Sequence, residues 1–186
     1  VSTFQGLGTI LVGLERHFGW SRTAMSGAFA LARIEGAVLG PLEGYLIDRF
    51  GSRRLIFIGF SILGIGFLMF SRVNVLWQFY VAFLVITFGG GIGGWLANIA
   101  MINNWFDRHR SLAMASTMSG VHLGGFLVPV LALSMDFYGF RWATLGLGIF
   151  ILLIVGPVTK FIKNRPEDYG MLPDGSPPAK SKSDLK

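Results

Sequence analysis

Long stretches without charge constrain the fold of this chain more than any other feature of its sequence. Residues 73–106 contain no Asp, Glu, Lys or Arg, and residues 55–71 are equally free of charge. A helix of about 20 apolar residues is long enough to cross the ~30 Å hydrocarbon core of a bilayer. Backbone groups in that core must be hydrogen bonded within the protein, and a helix meets this requirement by itself. The sequence therefore predicts an all-α membrane protein in contact with the lipid bilayer.

The composition favours the same class. Of the 186 residues, 52% are hydrophobic and only 14% are charged, which is too little charge for the surface of a soluble domain of this length. The net charge of +6 suggests nucleic acid at first, but most basic residues lie in short loops and in the tail, where they orient a membrane protein. The sequence shows no Cys/His metal cluster, no Gly-Lys-Ser/Thr phosphate loop and no Ser/His/Asp arrangement. We therefore expect no nucleic acid, metal, cofactor or enzymatic activity.

Charged loops divide the chain into six predicted helices. Residues 1–14 are apolar but too short to span a bilayer, so we interpret them as the second half of a first helix whose beginning is missing. The remaining helices, numbered from the second to the sixth, are expected at residues 23–47, 55–71, 77–103, 111–135 and 142–159. Residues 1–162 would form one helix bundle. Residues 163–186 are basic and rich in Pro, Gly and Ser, and we expect a disordered cytoplasmic loop or tail.

The basic residues predict the orientation of this bundle. Eleven of the sixteen Lys and Arg residues fall in the loop at 49–54, the loop at 107–110 or the region after the sixth helix. Four lie on the opposite side, and Arg33 lies within the membrane. Because cytoplasmic loops carry the excess of basic residues, both loops and the tail should be cytoplasmic. The protein is thus expected to be a multi-pass protein of the cell (plasma or inner) membrane.

The loop GYLIDRFGSRR at residues 44–54 joins the second and third predicted helices. Gly44 lets another backbone approach, and Gly51 turns the chain. Asp48 lies in the last turn of a helix, where the dipole disfavours an acid, so it should need a positive partner. Three arginines hold the loop at the cytoplasmic surface: Arg49, Arg53 and Arg54. The sequence resembles the G-x-L-x-D-R-x-G-x-R-R loop of major facilitator superfamily transporters.

This resemblance implies that the loop is a gate. In such transporters the loop acid makes charge contacts that hold the cytoplasmic side closed, and breaking them favours the inward-facing state. A bistable interface biased by a few charge pairs provides the physical basis. Here the contacts would join Asp48 to Arg53 and to Arg108 or Arg110. The simpler alternative is a loop whose solvated charges only set the topology.

Four further motifs narrow the resemblance to the monocarboxylate and oxalate–formate branch. They are FGWSR, ARIEGAVLGPLEGYLIDRFGSRR, NWFDRHRSLAMA and NRPEDYG, in this order. The resemblance implies a secondary active transporter that works by alternating access and moves a small organic anion, such as a monocarboxylate, with a proton. Its substrate site would lie between this half and a missing C-terminal six-helix half. Two alternatives stay open: a non-transporting six-helix protein of receptor-like or scaffold type, and a transporter of an unrelated small solute.

A shift of 88 residues aligns the second predicted helix with the fifth. The aligned pairs are Gly36 with Gly124, Pro41 with Pro129, Asp48 with Asp136, Gly51 with Gly139 and Arg53 with Arg141. The two copies are three helices apart, so they must cross the bilayer in opposite directions. Transporter halves are built from inverted three-helix repeats of this kind. The predicted fold is therefore a six-helix bundle of two inverted repeats, half of a 12-helix major facilitator fold.

Two charged residues near the membrane midplane are candidates for the transport pathway. Arg33 and Glu35 lie about 15–18 Å along the second helix from its outer end, where charge is costly and usually functional. Being two residues apart, they point in directions that differ by ~200° and cannot share a face. Arg33 is a candidate to hold an anionic substrate, and Glu35 to exchange a proton. The alternative is a structural ion pair with a neighbouring helix.

Other polar and small residues in the spans have weaker functional signals. His122, near the middle of the fifth helix, is a candidate proton relay, although a hydrogen bond to a neighbouring helix would also explain it. Asn98 is a candidate to line the pathway, and Glu43 is expected at the membrane interface. The glycines of residues 89–94 are expected to mark close helix packing or a flexible point where helices must move.

Overall fold

The computed structural model describes Glu15, residues 19–164 and Pro166. This part of the chain contains seven α-helices and no strand. The helices are α1 (Arg22–Phe50), α2 (Ser52–Ser71), α3 (Leu76–Ile92), α4 (Trp95–Trp105), α5 (Arg110–Gly124), α6 (Leu127–Tyr138) and α7 (Phe140–Phe161). Among the described residues, four stretches are long and apolar enough to cross a membrane, namely α2, α3 with α4, α5 with α6, and α7. The predicted all-α membrane class is therefore confirmed.

The observed helices correspond to the predicted ones from the second to the sixth. α1, α2 and α7 match the second, third and sixth predicted helices, and each extends a few residues beyond its predicted bounds. The fourth corresponds to α3 and α4 together, and the fifth to α5 and α6 together. The first predicted helix lies outside the described residues, as does most of the predicted tail.

The fourth predicted helix is interrupted at Gly93 and Gly94, so the expectation of one continuous helix is corrected. Two consecutive glycines are poor helix formers because they lose the most backbone freedom on folding. The Gly94 N–H donates to the Gly91 carbonyl oxygen at 3.0 Å, a three-residue turn in place of the four-residue helical bond. The Asn98 side-chain amide then donates to the Gly94 carbonyl oxygen at 2.7 Å. Asn98 therefore stabilises the start of α4.

The fifth predicted helix is also interrupted, between Gly124 and Leu127. Pro129 has no N–H to donate to the Gly125 carbonyl, four residues earlier. The Val128 N–H takes its place and donates to that oxygen at 3.1 Å, again as a three-residue turn. Proline thus separates α5 from α6, whereas α1 continues unbroken through Pro41.

Contacts between the helices define their directions. α2 runs antiparallel to α7, because Arg53 contacts Thr159 at one end and Phe70 contacts Phe140 at the other. α1 and α3 run parallel, with Tyr80 hydrogen bonded to Ala24 near the start of both. The turn after α1, the end of α4 and the end of α7 consequently share one end of the bundle, here called the Gly51 end. The opposite end, with the α2–α3 turn, is called the Asn74 end.

Aromatic side chains form the core near the Asn74 end. Phe70 and Phe140 join α2 to α7 with their ring centroids 5.4 Å apart, and Phe79 and Phe83 of α3 pack at 5.7 Å. Met25 of α1 is fully buried against this cluster. A smaller apolar cluster lies at the Gly51 end and includes Ile47, Leu55 and Ile92. By contrast, α5 buries none of its side chains within the described structure.

Glycines let α2 and α3 approach to backbone contact. A Cβ atom on Gly59 would lie 2.2 Å from the Gly93 nitrogen, and one on Gly89 would lie 2.5 Å from the Leu63 nitrogen. Real Cβ atoms do not approach backbone so closely, so only glycine fits at this crossing. In lipid, such close packing replaces the hydrophobic effect as the source of helix association. The packing role expected for the glycines of residues 89–94 therefore holds for Gly89 and Gly93.

Alanine substitutions at two neighbouring glycines of α3 test the crossing of α2 and α3. Gly89→Ala should lower the thermal midpoint of the detergent-solubilised chain by roughly 3–10 °C, because overpacking costs about 1–3 kcal/mol. At Gly90 a Cβ would make an ordinary 3.7 Å contact with Leu63, so Gly90→Ala should leave the midpoint nearly unchanged. Equal midpoints for the two variants would contradict the proposed crossing.

Candidate functional site

The described structure places Glu35 on the face of α1 that packs against α3. Its Oε2 atom accepts a hydrogen bond from the Thr87 hydroxyl at 2.5 Å. The Thr87 oxygen also lies 3.1 Å from the Phe83 carbonyl oxygen and 3.0 Å from that of Leu84. Thr87 itself gave no signal in the sequence, because a threonine in an apolar helix is unremarkable. The only indication of this contact in the sequence was that a carboxyl in the middle of a span needs a partner.

The Glu35–Thr87 contact accommodates both protonation states of the carboxyl. A hydroxyl has one proton to donate and can also accept. When Glu35 is ionised, the Thr87 hydroxyl donates to it. When Glu35 is protonated, its O–H can donate to the Thr87 oxygen, and the hydroxyl proton can turn to the Phe83 or Leu84 carbonyl. Neither state leaves this carboxyl oxygen unsatisfied in the low-dielectric interior.

The other pathway candidates do not lie near the contact between Glu35 and Thr87. Arg33 is exposed, whereas Glu35 is half-buried against α3, in agreement with the ~200° between them. His122 is exposed in the last turn of α5, and α1 and α5 make no contact within the described structure. Asn98 is half-buried and its amide is used at the α3–α4 break. The candidate site in the spans therefore consists of Glu35 with Thr87, and of Arg33 on another side of α1.

Glu43 is a second carboxyl on the α1–α3 interface, and its expected depth at the membrane interface stays a prediction. It is only 9% exposed. Its Oε1 atom lies 2.6 Å from where a Cβ on Gly91 would stand, so a larger residue at position 91 would displace the carboxyl. Among the described residues its carboxyl has no hydrogen-bond partner. The helical phase of α1, which continues to Phe50, turns Glu43 towards α3.

At the Gly51 end, the start of α2 is tied to the end of α7. The Arg53 N–H donates to Asn164 Oδ1, and Arg53 Nε donates to the Thr159 carbonyl oxygen, both at 2.8 Å. Trp105 at the end of α4 adds a hydrogen bond from Nε1 to the Lys163 carbonyl oxygen at 2.9 Å. The first residues of the predicted tail are therefore packed against the bundle.

The predicted gating contacts are not formed as expected in this arrangement. Asp48 is exposed and has no hydrogen bond or ion pair among the described residues, while Arg53 is engaged with α7. Arg49 donates to the Tyr45 hydroxyl at 2.8 Å. No described atom lies within 4 Å of a Cβ on Gly44, so the backbone approach expected there is not made by this part of the chain. The remaining loop arginines are exposed: Arg54, Arg108 and Arg110.

Two turns, 88 residues apart, have the same backbone conformation. Gly51 has φ 79° and ψ 153°, and Gly139 has φ 82° and ψ 158°. In each turn the glycine N–H donates to the carbonyl four residues earlier. Two residues later, Arg53 binds the end of α7, and Arg141 donates to Asn74 beyond the end of α2. Each arginine thus fixes the start of one helix to the end of its antiparallel neighbour.

The apolar spans and the charged turns between them define a multi-spanning α-helical membrane protein. The family profile of the Major Facilitator Superfamily matches residues 2–183, and the chain belongs to this superfamily.

Relatives from fungi, bacteria and mammals share this similarity. The MFS-type transporter pynF of Aspergillus niger is 30% identical over 74% of this chain and 31% of its own length. Monocarboxylate transporter 4 of Mus musculus is 32% identical over 74% of this chain and 29% of its own. The oxalate:formate antiporter of Oxalobacter formigenes is 30% identical over 76% and 35%. The resemblance to the monocarboxylate and oxalate–formate branch is confirmed, and the chain spans about a third of the length of these relatives.

The paired turns allow a test of the contact between Gly51 and Asn164. Alanine at either glycine should cost about 1–3 kcal/mol, because this backbone region suits only glycine. A Cβ on Gly51 would also lie 2.8 Å from Asn164 Nδ2, whereas no described atom lies within 4 Å of one on Gly139. Gly51→Ala should therefore lower the thermal midpoint more than Gly139→Ala. Adding Asn164→Ala should recover part of the loss only for Gly51→Ala, and equal losses would rule out the contact.

Proposed function

We propose that this chain is the N-terminal six-helix half of a secondary active transporter that works by alternating access. It would carry a small organic anion, such as a monocarboxylate, together with a proton. The substrate would bind between this half and a second six-helix half. Membership of the superfamily supports transport in general, and the names of two relatives, a monocarboxylate transporter and an oxalate:formate antiporter, support the substrate class.

The observation that carries the proton-coupling proposal is the carboxyl of Glu35 held by Thr87 in mid-span. An ionisable group at this depth is costly to maintain, which favours a functional role. The Thr87 hydroxyl satisfies Glu35 in either protonation state, so gain or loss of a proton does not disrupt the α1–α3 interface. Arg33, exposed on another side of α1, would attract the anion. Proton and substrate would then bind on different sides of one helix.

The inverted-repeat architecture is also proposed. The Gly51 and Gly139 turns share their dihedral angles, their hydrogen bond and their following arginine, at the offset of 88 residues read from the sequence. The two arginines act at opposite ends of the antiparallel pair α2 and α7. These observations support two three-helix units of opposite direction. The Gly51 end, which collects most basic residues, would face the cytoplasm.

Uptake measurements on the complete protein in proteoliposomes test the transport proposal. A panel of radiolabelled monocarboxylates would be offered with and without a pH gradient. Glu35→Gln should abolish accumulation driven by the gradient while exchange of anion across the membrane continues, because a neutral amide cannot carry the proton. Arg33→Ala should weaken both accumulation and exchange, because a charge-assisted contact to the anion is worth about 1.5–3 kcal/mol.

The outcomes separate the parts of the proposal. Uptake of no panel member would refute the substrate class, and gradient-driven accumulation by Glu35→Gln would refute its proton role. Unchanged uptake in Arg33→Ala would make this arginine structural. Glu43→Gln, on the same α1–α3 interface, is the matched carboxyl control and should retain gradient-driven accumulation.

For the gate, we propose that Asp48 closes the cytoplasmic side by pairing with Arg108 or Arg110 in the outward-facing state. In the described arrangement Asp48 is exposed and Arg53 is bound to α7, so Arg53 would act by fixing the loop. Arg108 in the α4–α5 loop and Arg110 at the start of α5 lie at the same end of the bundle. A pairing that forms in only one state is what a bistable interface requires.

Cysteine labelling tests this gate, and the chain contains no cysteine of its own. Gly44→Cys places a thiol where space is open, one turn before Asp48. Adding Asp48→Asn should raise the labelling rate from the cytoplasmic side severalfold, because the inward-facing state becomes more populated. Asp136→Asn, the repeat-related change at the other end of the bundle, is the control and should have no effect. Equal rates for the two variants would refute the gate.

A further inference from the structure

A groove of about 560 Å³ lies on the bundle near the Asn74 end, between the end of α2, the start of α3 and α7. Its walls include Leu68 from α2, Val81 from α3 and Leu145 from α7. Trp77, which is 66% exposed, stands at its edge. The groove is separate from the α1–α3 contact that holds Glu35, and its walls suit a hydrocarbon chain rather than a soluble anion.

The rim of the groove presents hydrogen-bond donors and one positive charge. Gln78 Oε1 accepts the Asn74 N–H at 2.9 Å, which leaves the Gln78 amide NH₂ as a donor. The Asn74 side chain is occupied by Arg141 and by the Arg72 carbonyl oxygen. The Arg72 guanidinium is exposed and has no partner among the described residues, and none of the residues lining the groove is acidic. This arrangement complements an anion.

The position of the groove identifies the source of that anion. Arg72 directly follows the last residue of α2, and Trp77 is the second residue of α3, so both lie where spanning helices leave the hydrocarbon. Tryptophan and arginine at helix ends are typical of the headgroup region of a bilayer. A ligand in the groove would have the charge of Arg72 at the depth of the headgroups and the apolar wall deeper in the hydrocarbon. A phospholipid has this division between phosphate and acyl chain.

We propose that this groove is a binding site for one anionic phospholipid. Its phosphate would accept hydrogen bonds from Arg72 and Gln78, and an acyl chain would lie against Leu68, Val81 and Leu145. Basic residues at the ends of spanning helices attract lipid phosphates, and an apolar wall between the helices takes the acyl chain. Because the Gly51 end would face the cytoplasm, the lipid would come from the opposite leaflet. The site does not depend on which solute the protein transports.

Quenching of Trp77 fluorescence tests the proposal. The purified, delipidated chain in detergent would be titrated with phosphatidylglycerol brominated on its acyl chains, or with brominated phosphatidylcholine. The chain has five tryptophans, so the Trp77→Phe variant identifies the share of the signal that comes from the groove. Phosphatidylglycerol should quench at a severalfold lower mole fraction than phosphatidylcholine. Arg72→Gln should reduce this preference about fivefold, the effect of one basic residue at a membrane surface.

Three controls keep the outcome decisive. Arg54→Gln removes an exposed arginine at the Gly51 end and should retain the preference of the unmodified chain. Val81→Phe fills the apolar wall without changing charge or adding a tryptophan, and it should weaken binding of both lipids even if Arg72→Gln fails to fold. Excess inorganic phosphate should not displace the lipid. Equal quenching by the two lipids, an unchanged preference in folded Arg72→Gln, or displacement by phosphate would each overturn the proposal.

Discussion

The close approach of backbones around α2 is the constraint on which the rest of the structure depends. At one side Gly59 meets Gly89 and Gly93 of α3, and at the other Gly64 meets Gly148 of α7. Lipid offers no hydrophobic driving force between apolar helices, so van der Waals contact along these glycine faces must hold the bundle together. α2 is consequently the central helix of the described structure. The aromatic core can form near the Asn74 end because these crossings bring α2, α3 and α7 together.

This packing also determines where charge is accommodated. α1 is absent from the stretches apolar enough to span a membrane on composition alone, and its mid-helix charges account for this. It is held by α3, whose Thr87 satisfies Glu35 and whose Gly91 leaves room for Glu43. The rigid α2–α3 pair therefore supports a more polar helix. A membrane protein built for packing alone would have little reason to retain these carboxyls.

The sequence predicted the spans, the Gly51 turn and the packing of Gly89 and Gly93, because each depends on local composition or on a residue type with one physical role. It missed what depends on the phase of a helix relative to its neighbours. Thr87 became significant only when α3 placed it beside Glu35, and the burial of Glu43 against α3 likewise depends on the helical phase of α1. The sequence contains the residue types that cause the helix breaks near Gly94 and Pro129. Pro41 shows, however, that a proline in a span does not by itself end the helix.

Arg33 connects the packing to the proposed function. A charged side chain in mid-span cannot face hydrocarbon at low cost, so the side of α1 on which it is exposed must meet water or more protein. Large apolar residues are exposed on the same helix, including Ile34 and Val38, and these residues need lipid or further protein rather than water. A second helical unit that packs against α1 and leaves an aqueous cavity at Arg33 meets both requirements. The two-half arrangement proposed above would provide such surroundings for this one helix.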